Sequence, residues 1–180
     1  MKHSFYIVFI FFFIIGCTKT PPRRPLNPKP SATIFKANIE ASKKIIQEEN
    51  KKIVDYFAQD YTKTYINSNN GFWYTYVDKV ETDTFTPKEG DDVVLSYDIT
   101  TLNDDIIYSK EDLGLKNYKI DKEDFISGIQ KGIKLMKEGE TITFVIPFYN
   151  AFGISGDGNK IGFKQTIKST VTLIKINKLN

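Results

Sequence analysis

The sequence predicts an α+β domain, in which an antiparallel sheet packs on one short helix and a longer helix precedes both. After Gly71, apolar and polar residues alternate in several runs, which is typical of strands with one buried face. Only the stretch from Phe125 to Met136 in this region has apolar residues at helical spacing. Residues 34–65 contain neither proline nor glycine, which favours a helix ahead of the sheet. Strands accompanied by a single short helix indicate the α+β class.

The first element, residues 1–16, has the pattern of a signal peptide. Lys2 and His3 precede an unbroken apolar run from Phe5 to Ile15, which is eleven residues long. Such a run is too short to span a bilayer but suits a signal h-region. It ends at Gly16-Cys17, which resembles a bacterial lipobox and implies that Cys17 carries lipid, palmitate included. The alternative is an ordinary secretory signal with a chance cysteine.

Residues 17–33 form the second predicted element, a proline-rich tether. Five of the seven prolines of the chain lie here, and proline-rich segments favour an extended polyproline II conformation. By resemblance to other bacterial lipoproteins, Thr18 in place of aspartate implies the outer membrane. No acidic run follows Cys17, so the periplasmic side is favoured over the cell exterior.

The third element, residues 34–70, is dominated by a helix predicted from about Ala37 to Tyr65. Ile39, Ile46 and Ile53 recur every seven residues and define one apolar stripe. Three heptads are too few to require a coiled coil, so two alternatives stay open: a helix packed on its own domain or a dimerising arm. Asn67 to Gly71 ends the helix.

Residues 71–180 form the main domain, which contains the predicted strands and the short helix. The runs expected to be half-buried strands are Phe72–Val80, Val93–Ile99, 142–146 and Ile167–Ile176. Asn103-Asp104-Asp105 predicts a polar turn. We expect this domain to fold on its own, since the sheet and helix patterns close within it.

The composition excludes several classes of function. The one histidine, His3, and the one cysteine, Cys17, both precede the main domain, so Ser-His-Asp hydrolysis, Cys-His nucleophiles and zinc sites are excluded there. A net charge of +3 with interspersed signs argues against nucleic-acid binding. Asp157 and Asn159 suggest a cation loop, but the closing ligands of a calcium site are missing. We therefore expect no metal and no cofactor.

Three motifs in the main domain resemble the FKBP-type peptidyl-prolyl cis-trans isomerases. FISGI, GIKLMKEGE and AFG, all between Phe125 and Gly153, are similar to the family elements V-I-x-G-W, G-x-x-x-M-x-x-G-E and A-Y-G. The resemblance covers about Gly71 to Asn177 and implies a half-barrel sheet wrapped on one short helix. The tether and lead helix further resemble the gliding-motility-associated isomerase lipoproteins. Together they imply a membrane-anchored folding helper that acts on proline-containing segments of envelope proteins.

The resemblance also implies an apolar cleft between sheet and helix. Tyr97 would direct its hydroxyl at the ligand, and Tyr108 would form an aromatic wall. Phe125 would lie at the cleft edge, next to Ile126, whose backbone N–H would serve as a donor. The remaining expected positions are Ile129 on the floor, Phe152 in the A-Y-G element, and two substrate-binding residues, Tyr118 on a further wall and Ile161 in the flap.

The sequence departs from the family pattern at four positions of this cleft. Ile129 replaces the usual tryptophan, Ser109 replaces an aspartate, Phe152 replaces a tyrosine, and Ser169 falls where a phenylalanine is usual, which would place a hydroxyl in the cleft. These changes predict weak or substrate-restricted isomerase activity. The alternative is a catalytically weak or inactive module that docks proline-containing loops of a membrane or motility complex.

Overall fold

The computed structural model describes residues 32–59, 62–81 and 85–179, with side chains from residue 34 onward. The predicted signal peptide, the lipidation of Cys17 and almost all of the tether lie outside these residues. Within the described part, the helices and strands are α1 (Ala32–Phe57), β1 (Ile66–Asn67), β2 (Trp73–Asp78), β3 (Asp92–Tyr97), β4 (Ile99–Thr100), β5 (Ile106–Tyr108), α2 (Lys110–Leu113), β6 (Leu115–Lys119), α3 (Ser127–Ile133), β7 (Thr141–Ile146), a 3₁₀ turn (Phe148–Asn150) and β8 (Ile167–Asn177).

All the strands belong to one antiparallel sheet, so the predicted α+β class is confirmed. The sheet has eight strands in the order β1-β2-β7-β8-β3-β6, and β4 joins β5 to β8. Between Val94 and Leu95 of β3 the pairing moves from Lys175 to Leu173, so the extra residue Ile174 forms a bulge in β8, which increases local twist. The alternating runs of the sequence predict most of these strands to within a few residues, because one face of each packs on the core.

The inner face of the sheet packs on α3, and two glycines allow that helix to approach closely. A Cβ atom at Gly128 would lie 2.5 Å from Cγ2 of Ile146, and one at Gly132 would lie 2.5 Å from Cε1 of Phe144. Both neighbours are fully buried residues of β7. Small residues at these two positions therefore set the distance between α3 and the sheet, and with it the position of the cleft at the start of α3.

The later part of α1 packs on the outer face of the sheet at Trp73 and Val145. Ile53 is fully buried and packs with Trp73 and Val145, which lie on the outer face. Glu49 accepts a hydrogen bond from the hydroxyl of Thr166. The sequence therefore predicted β7 wrongly as half-buried: all six of its residues are buried, and on the face opposite α3 Val145 packs against Ile53 of α1.

The bounds of α1 differ from the prediction at both ends. The helix begins at Ala32 and ends at Phe57, eight residues before the expected end at Tyr65. Tyr65 lies outside the helix, and its ring stacks on the Phe57 ring at a centroid distance of 4.1 Å and an interplanar angle of 14°. Tyr65 thus packs with Phe57 from outside the helix rather than by extending it.

The chain divides into two compact units, Met1–Ala41 and Ser42–Asn180. In the second unit Ile53 of the predicted stripe is fully buried, whereas Ile46 is 38% exposed, so the two alternatives for α1 both stay open. That residues 71–180 fold without α1 stays a prediction. Among the helices in the described residues, none combines the length and apolarity needed to cross a membrane.

Strand β6, helix α2 and the 3₁₀ turn are among the elements that were not expected. Helix α2 begins after Ser109, whose hydroxyl accepts a hydrogen bond from the backbone of Asp112, while the Asp112 carboxylate accepts one from the Ser109 backbone. This is a capping box, which stabilises a single turn. The 3₁₀ turn follows β7. The helix predicted between Phe125 and Met136 is also shorter than expected, so that Phe125 and Ile126 precede its first residue.

Candidate functional site

A cavity of about 460 Å³ opens beside the start of α3. Five of the eight predicted cleft residues line it, namely Tyr97, Tyr108, Phe125, Ile126 and Phe152, together with Ile99, Leu113, Asp124, Ala151 and Asp157. Eight of these ten side chains are apolar or aromatic, so a ligand in the cavity is transferred from water to a largely apolar surface. We refer to this cavity as the cleft.

One wall of the cleft is a set of aromatic rings centred on Phe125. The Tyr97 ring meets Phe125 edge-on, with centroids 5.3 Å apart and planes at 89°. The Tyr118 ring lies 5.5 Å from Phe125 on another side. Edge-to-face pairs are favourable arrangements of aromatic quadrupoles, so Phe125 is held in place by its neighbours.

Tyr97 supplies a protonated hydroxyl at the cleft. Only 9% of the residue is exposed, and burial raises the pKa of its phenol above the usual value of 10.0. At neutral pH the Tyr97 hydroxyl therefore remains a hydrogen-bond donor, which is the role that the resemblance implies for it.

Ile126 is fixed by its place at the start of α3. Its φ and ψ of −60° and 116° are extended, and its carbonyl accepts the hydrogen bond of the Gln130 N–H at 2.9 Å. The carbonyl thus belongs to the helix, while the N–H lies outside helical pairing. Its use as a donor to a ligand stays a prediction.

Three predicted cleft residues do not line the cavity. Ile129, Tyr118 and Ile161 are 0%, 1% and 3% exposed, and each packs in the core beneath the cleft. The Tyr118 hydroxyl accepts a hydrogen bond from the backbone N–H of Asp121 at 3.2 Å. These residues support the cleft from behind, and the ring of Tyr118 does so by direct contact with Phe125.

Ser169 does not place a hydroxyl in the cleft, contrary to expectation. Its side chain is fully buried and donates to the carbonyl of Asp98 at 2.6 Å. The Asp98 carboxylate in turn accepts the backbone N–H of Thr170 at 2.7 Å. The hydroxyl therefore joins β8 to the chain between β3 and β4 instead of meeting a ligand.

Tyr108 has a polar partner, although Ser109 replaces the aspartate expected next to it. The Tyr108 hydroxyl donates to Oδ2 of Asp157 at 2.5 Å. This hydrogen bond to Asp157 raises the pKa of Tyr108 above 10.0. Ser109 is instead the cap of α2.

Ile99, Leu113 and Asp157 line the cleft but were not among the predicted cleft residues. Leu113 had a usable signal, because Ser109 and Asp112 have capping-box spacing and predict a helical turn that brings Leu113 back towards Tyr108. Asp157 had none, since its contact with Tyr108 spans 49 residues. A contact between residues so far apart in the chain cannot be predicted from the pattern of neighbouring residues.

The cleft can act on a ligand through the shape of its apolar surface and through a few hydrogen-bonding groups. Among the described residues, no group of three or more histidine, cysteine, aspartate or glutamate side chains could hold a metal ion. The polar side chains of the cleft are the hydroxyls of Tyr97 and Tyr108 and the carboxylates of Asp124 and Asp157. The carboxylate of Asp157 accepts a hydrogen bond from Tyr108. Such a site can bind an apolar ring and donate hydrogen bonds to an amide carbonyl.

Comparison with known proteins matches the sequence to a protein family and the fold to a solved structure. The sequence model described as FKBP-type peptidyl-prolyl cis-trans isomerase matches residues 84–174, which is about half of the chain. Among solved structures, the N-terminal domain of FKBP42 from Arabidopsis thaliana is similar with a TM-score of 0.59 and 14% identity. The similarity covers 66% of this chain and 96% of that domain, and at this identity it supports the fold alone.

Proposed function

The chain belongs to the FKBP-type peptidyl-prolyl cis-trans isomerase family, and from this premise we propose that its cleft catalyses isomerisation of X-Pro bonds. FKBP domains in general bind proline-containing peptides. The observation that carries the proposal is the wall in which Phe125, with Tyr97 beside it at 5.3 Å, faces an apolar cavity.

The proposed mechanism rests on desolvation. Rotation about the amide breaks resonance, with a barrier of about 18–20 kcal/mol, and the twisted amide is less dipolar than the planar one. A dry apolar wall therefore disfavours the planar ground state relative to the twisted state. The proline ring packs against Phe125 and Phe152, and the protonated Tyr97 hydroxyl donates to a carbonyl of the bound peptide.

A protease-free assay on short peptides that vary the residue before proline tests this function. We expect turnover above the uncatalysed rate for at least one peptide. The preferred residue would identify what the cleft accepts next to proline. Absence of turnover with every peptide would reject the enzymatic role.

A binding module is the second candidate function. It is favoured by Ile129, which lies fully buried below the cleft where the family commonly has a tryptophan. A floor with less aromatic surface can bind a proline-containing loop without stabilising the twisted amide. Binding of peptides that are not isomerised would support this candidate.

The proposal extends to where the protein works. We propose that Cys17 carries lipid at an outer membrane, favouring the periplasmic side, and that the domain assists the folding of envelope proteins. The sequence features that support this are the apolar run before Gly16-Cys17 and the prolines that follow. The resemblance to gliding-motility-associated lipoproteins makes a motility complex one source of clients.

A further inference from the structure

We propose that Asp157 is a positioning residue of the cleft, which ties the Tyr108 wall to residues 153–161. We call these residues the cleft loop. The inference rests on the proposed isomerase function. In the sequence, Asp157 and Asn159 suggest only a cation loop, and the closing ligands of such a site are missing.

Both carboxylate oxygens of Asp157 are engaged. Oδ2 accepts the hydroxyl of Tyr108 at 2.5 Å. Oδ1 accepts two backbone N–H groups of the cleft loop, from Ile161 at 2.8 Å and from Asn159 at 2.9 Å. One side chain therefore joins a strand residue on one side of the cleft to the backbone of the loop on the other.

Tyr108 is held by more than one contact from this loop. The amide nitrogen of Asn159 donates to the Tyr108 hydroxyl at 3.1 Å. The ammonium group of Lys160 lies 4.9 Å from the centroid of the Tyr108 ring, within the range of a cation–π contact. The hydroxyl thus donates to Asp157 and accepts from Asn159, which defines the orientation of the ring.

The backbone of the cleft loop is shaped for this contact. Gly156 has a φ of +74°, and a Cβ atom there would lie 2.0 Å from the carbonyl oxygen of Ile161. Only glycine permits this close approach. Within the loop, the Asp157 N–H donates to the Ile161 carbonyl at 3.3 Å, and Lys164, just beyond the loop, donates its N–H to the Ile154 carbonyl at 2.9 Å, which holds the two ends of the loop together.

The protonation states suit a charge-assisted hydrogen bond. Burial acts to raise the pKa of Asp157, but the hydrogen bonds from Tyr108, Asn159 and Ile161 outweigh it and hold the pKa below its usual 3.8. At neutral pH an ionised carboxylate therefore faces a protonated phenol. Hydrogen bonds of this kind are shorter and stronger than neutral ones.

The contact connects the two halves of the cleft surface. Tyr108 and Asp157 both line the cavity, as do Ala151 and Phe152 just before the loop. Loss of the carboxylate would release the ring of Tyr108 and the loop backbone together. The effect on a bound proline would then come through the wall, since the carboxylate is already occupied by its three donors.

A double-mutant cycle tests this role, using the full chain with Asp157→Ala, Tyr108→Phe and both together. We expect Asp157→Ala to lower kcat/KM by about tenfold and Tyr108→Phe by about threefold, since a hydrogen bond to a charged group is lost. The double variant should be no worse than Asp157→Ala. Activity is expressed per folded molecule, at a temperature where every variant is folded.

Two further variants separate positioning from mere stabilisation. Asp157→Asn keeps the oxygen that accepts the two loop N–H groups and places an amide opposite the Tyr108 hydroxyl, so it should recover a large part of the lost kcat/KM. Ser155→Ala changes an exposed residue of the same loop and is the matched control, expected to leave kcat/KM unchanged. KM and kcat are compared separately, since a displaced wall changes both.

The same cycle is measured in the unfolding midpoint and in amide exchange of Asn159 and Ile161, so it does not depend on turnover. Non-additive unfolding midpoints and faster amide exchange in Asp157→Ala support the contact between Asp157 and Tyr108. If the wild type proves inactive while these effects are seen, only the proposed isomerase function fails. The cycle is then measured in peptide binding instead of kcat/KM. Multiplicative effects of the two substitutions, or unchanged kcat/KM and peptide binding in Asp157→Ala, would overturn the inference.

Discussion

At the scale of single residues, Tyr97 is the polar group best placed to meet a bound amide. Its ring packs edge-on against Phe125 at 5.3 Å, so its orientation is set by packing and its hydroxyl is the only part that a change to phenylalanine removes. We expect Tyr97→Phe to lower kcat/KM by about fivefold, the equivalent of one net hydrogen bond. Tyr76→Phe, on β2 and outside the cleft lining, is the control. A loss as large in Tyr76→Phe would show that the effect is not local.

Titration provides a second test at this scale. Burial raises the pKa of Tyr97 above 10.0, and the hydrogen bond to Asp157 raises that of Tyr108, so both hydroxyls stay protonated below pH 8. The pKa of Asp157 is held below 3.8, so its carboxylate is ionised throughout the neutral range. The stabilisation that this carboxylate provides is present above pH 3.8 and is lost as the pH falls through the lowered pKa of the folded protein. We predict a rate that is flat between about pH 6 and 8, because no unperturbed side chain in the described residues titrates there. A step near pH 6.5 in the pH–rate profile would contradict this mechanism.

At the scale of residues, the resemblance to the family placed five residues that the structure brings together at one cavity. Tyr97, Tyr108, Phe125, Ile126 and Phe152 line the cleft as expected. The role of Asp157 was missed because it depends on a loop conformation that joins residues 49 positions apart. That conformation is not visible in spacing along the chain.

At the scale of elements, α1 contributes to the stability of the domain through its later half. Ile53 on its later half is fully buried against Trp73 and Val145, whereas the adjacent Val54 is 51% exposed. We expect residues 71–180 to fold cooperatively when produced alone, but to melt at a lower temperature than residues 34–180, because the outer face of β7 becomes exposed. Thermal unfolding followed by circular dichroism measures the difference.

Point substitutions in the full chain provide the control for that truncation. Ile53→Ala should lower the free energy of unfolding by about 3 kcal/mol, as other buried isoleucines do, and Val54→Ala by less than about 0.5 kcal/mol. If residues 71–180 show no cooperative transition while residues 34–180 do, α1 is integral to the domain and the boundary at Gly71 is wrong.

The elements show why local patterns predict a sheet better than a helix end. Alternation requires only that one face of a strand is buried, so β3 and β8 were predicted closely. The end of α1 goes with the stacking of Tyr65 on Phe57, a contact between a residue of the helix and one outside it. The burial of Val145 on the outer face of β7 likewise involves Ile53 of α1, which lies far away in the sequence.

At the scale of the whole molecule, the proposed anchor decides where the cleft can act. We predict that Cys17→Ala abolishes labelling by a palmitate analogue and releases the processed protein or leaves the precursor uncleaved. The reason is that the only cysteine of the chain ends the apolar run. Cys17→Ser is a second variant that keeps the residue size. Unchanged labelling in both variants would reject the lipoprotein proposal.

The central claim for the molecule is that the cleft twists X-Pro bonds, and it is tested most directly by exchange spectroscopy of a proline peptide with and without the protein. We predict cis-trans exchange faster than the uncatalysed rate for the wild type, and loss of most of this acceleration in Phe125→Ala, which removes the ring that Tyr97 and Tyr118 hold in the wall. Phe35→Ala, a change at a residue that is 60% exposed, should leave exchange unchanged. Exchange at the uncatalysed rate with the wild type, or full acceleration in Phe125→Ala, would contradict the account.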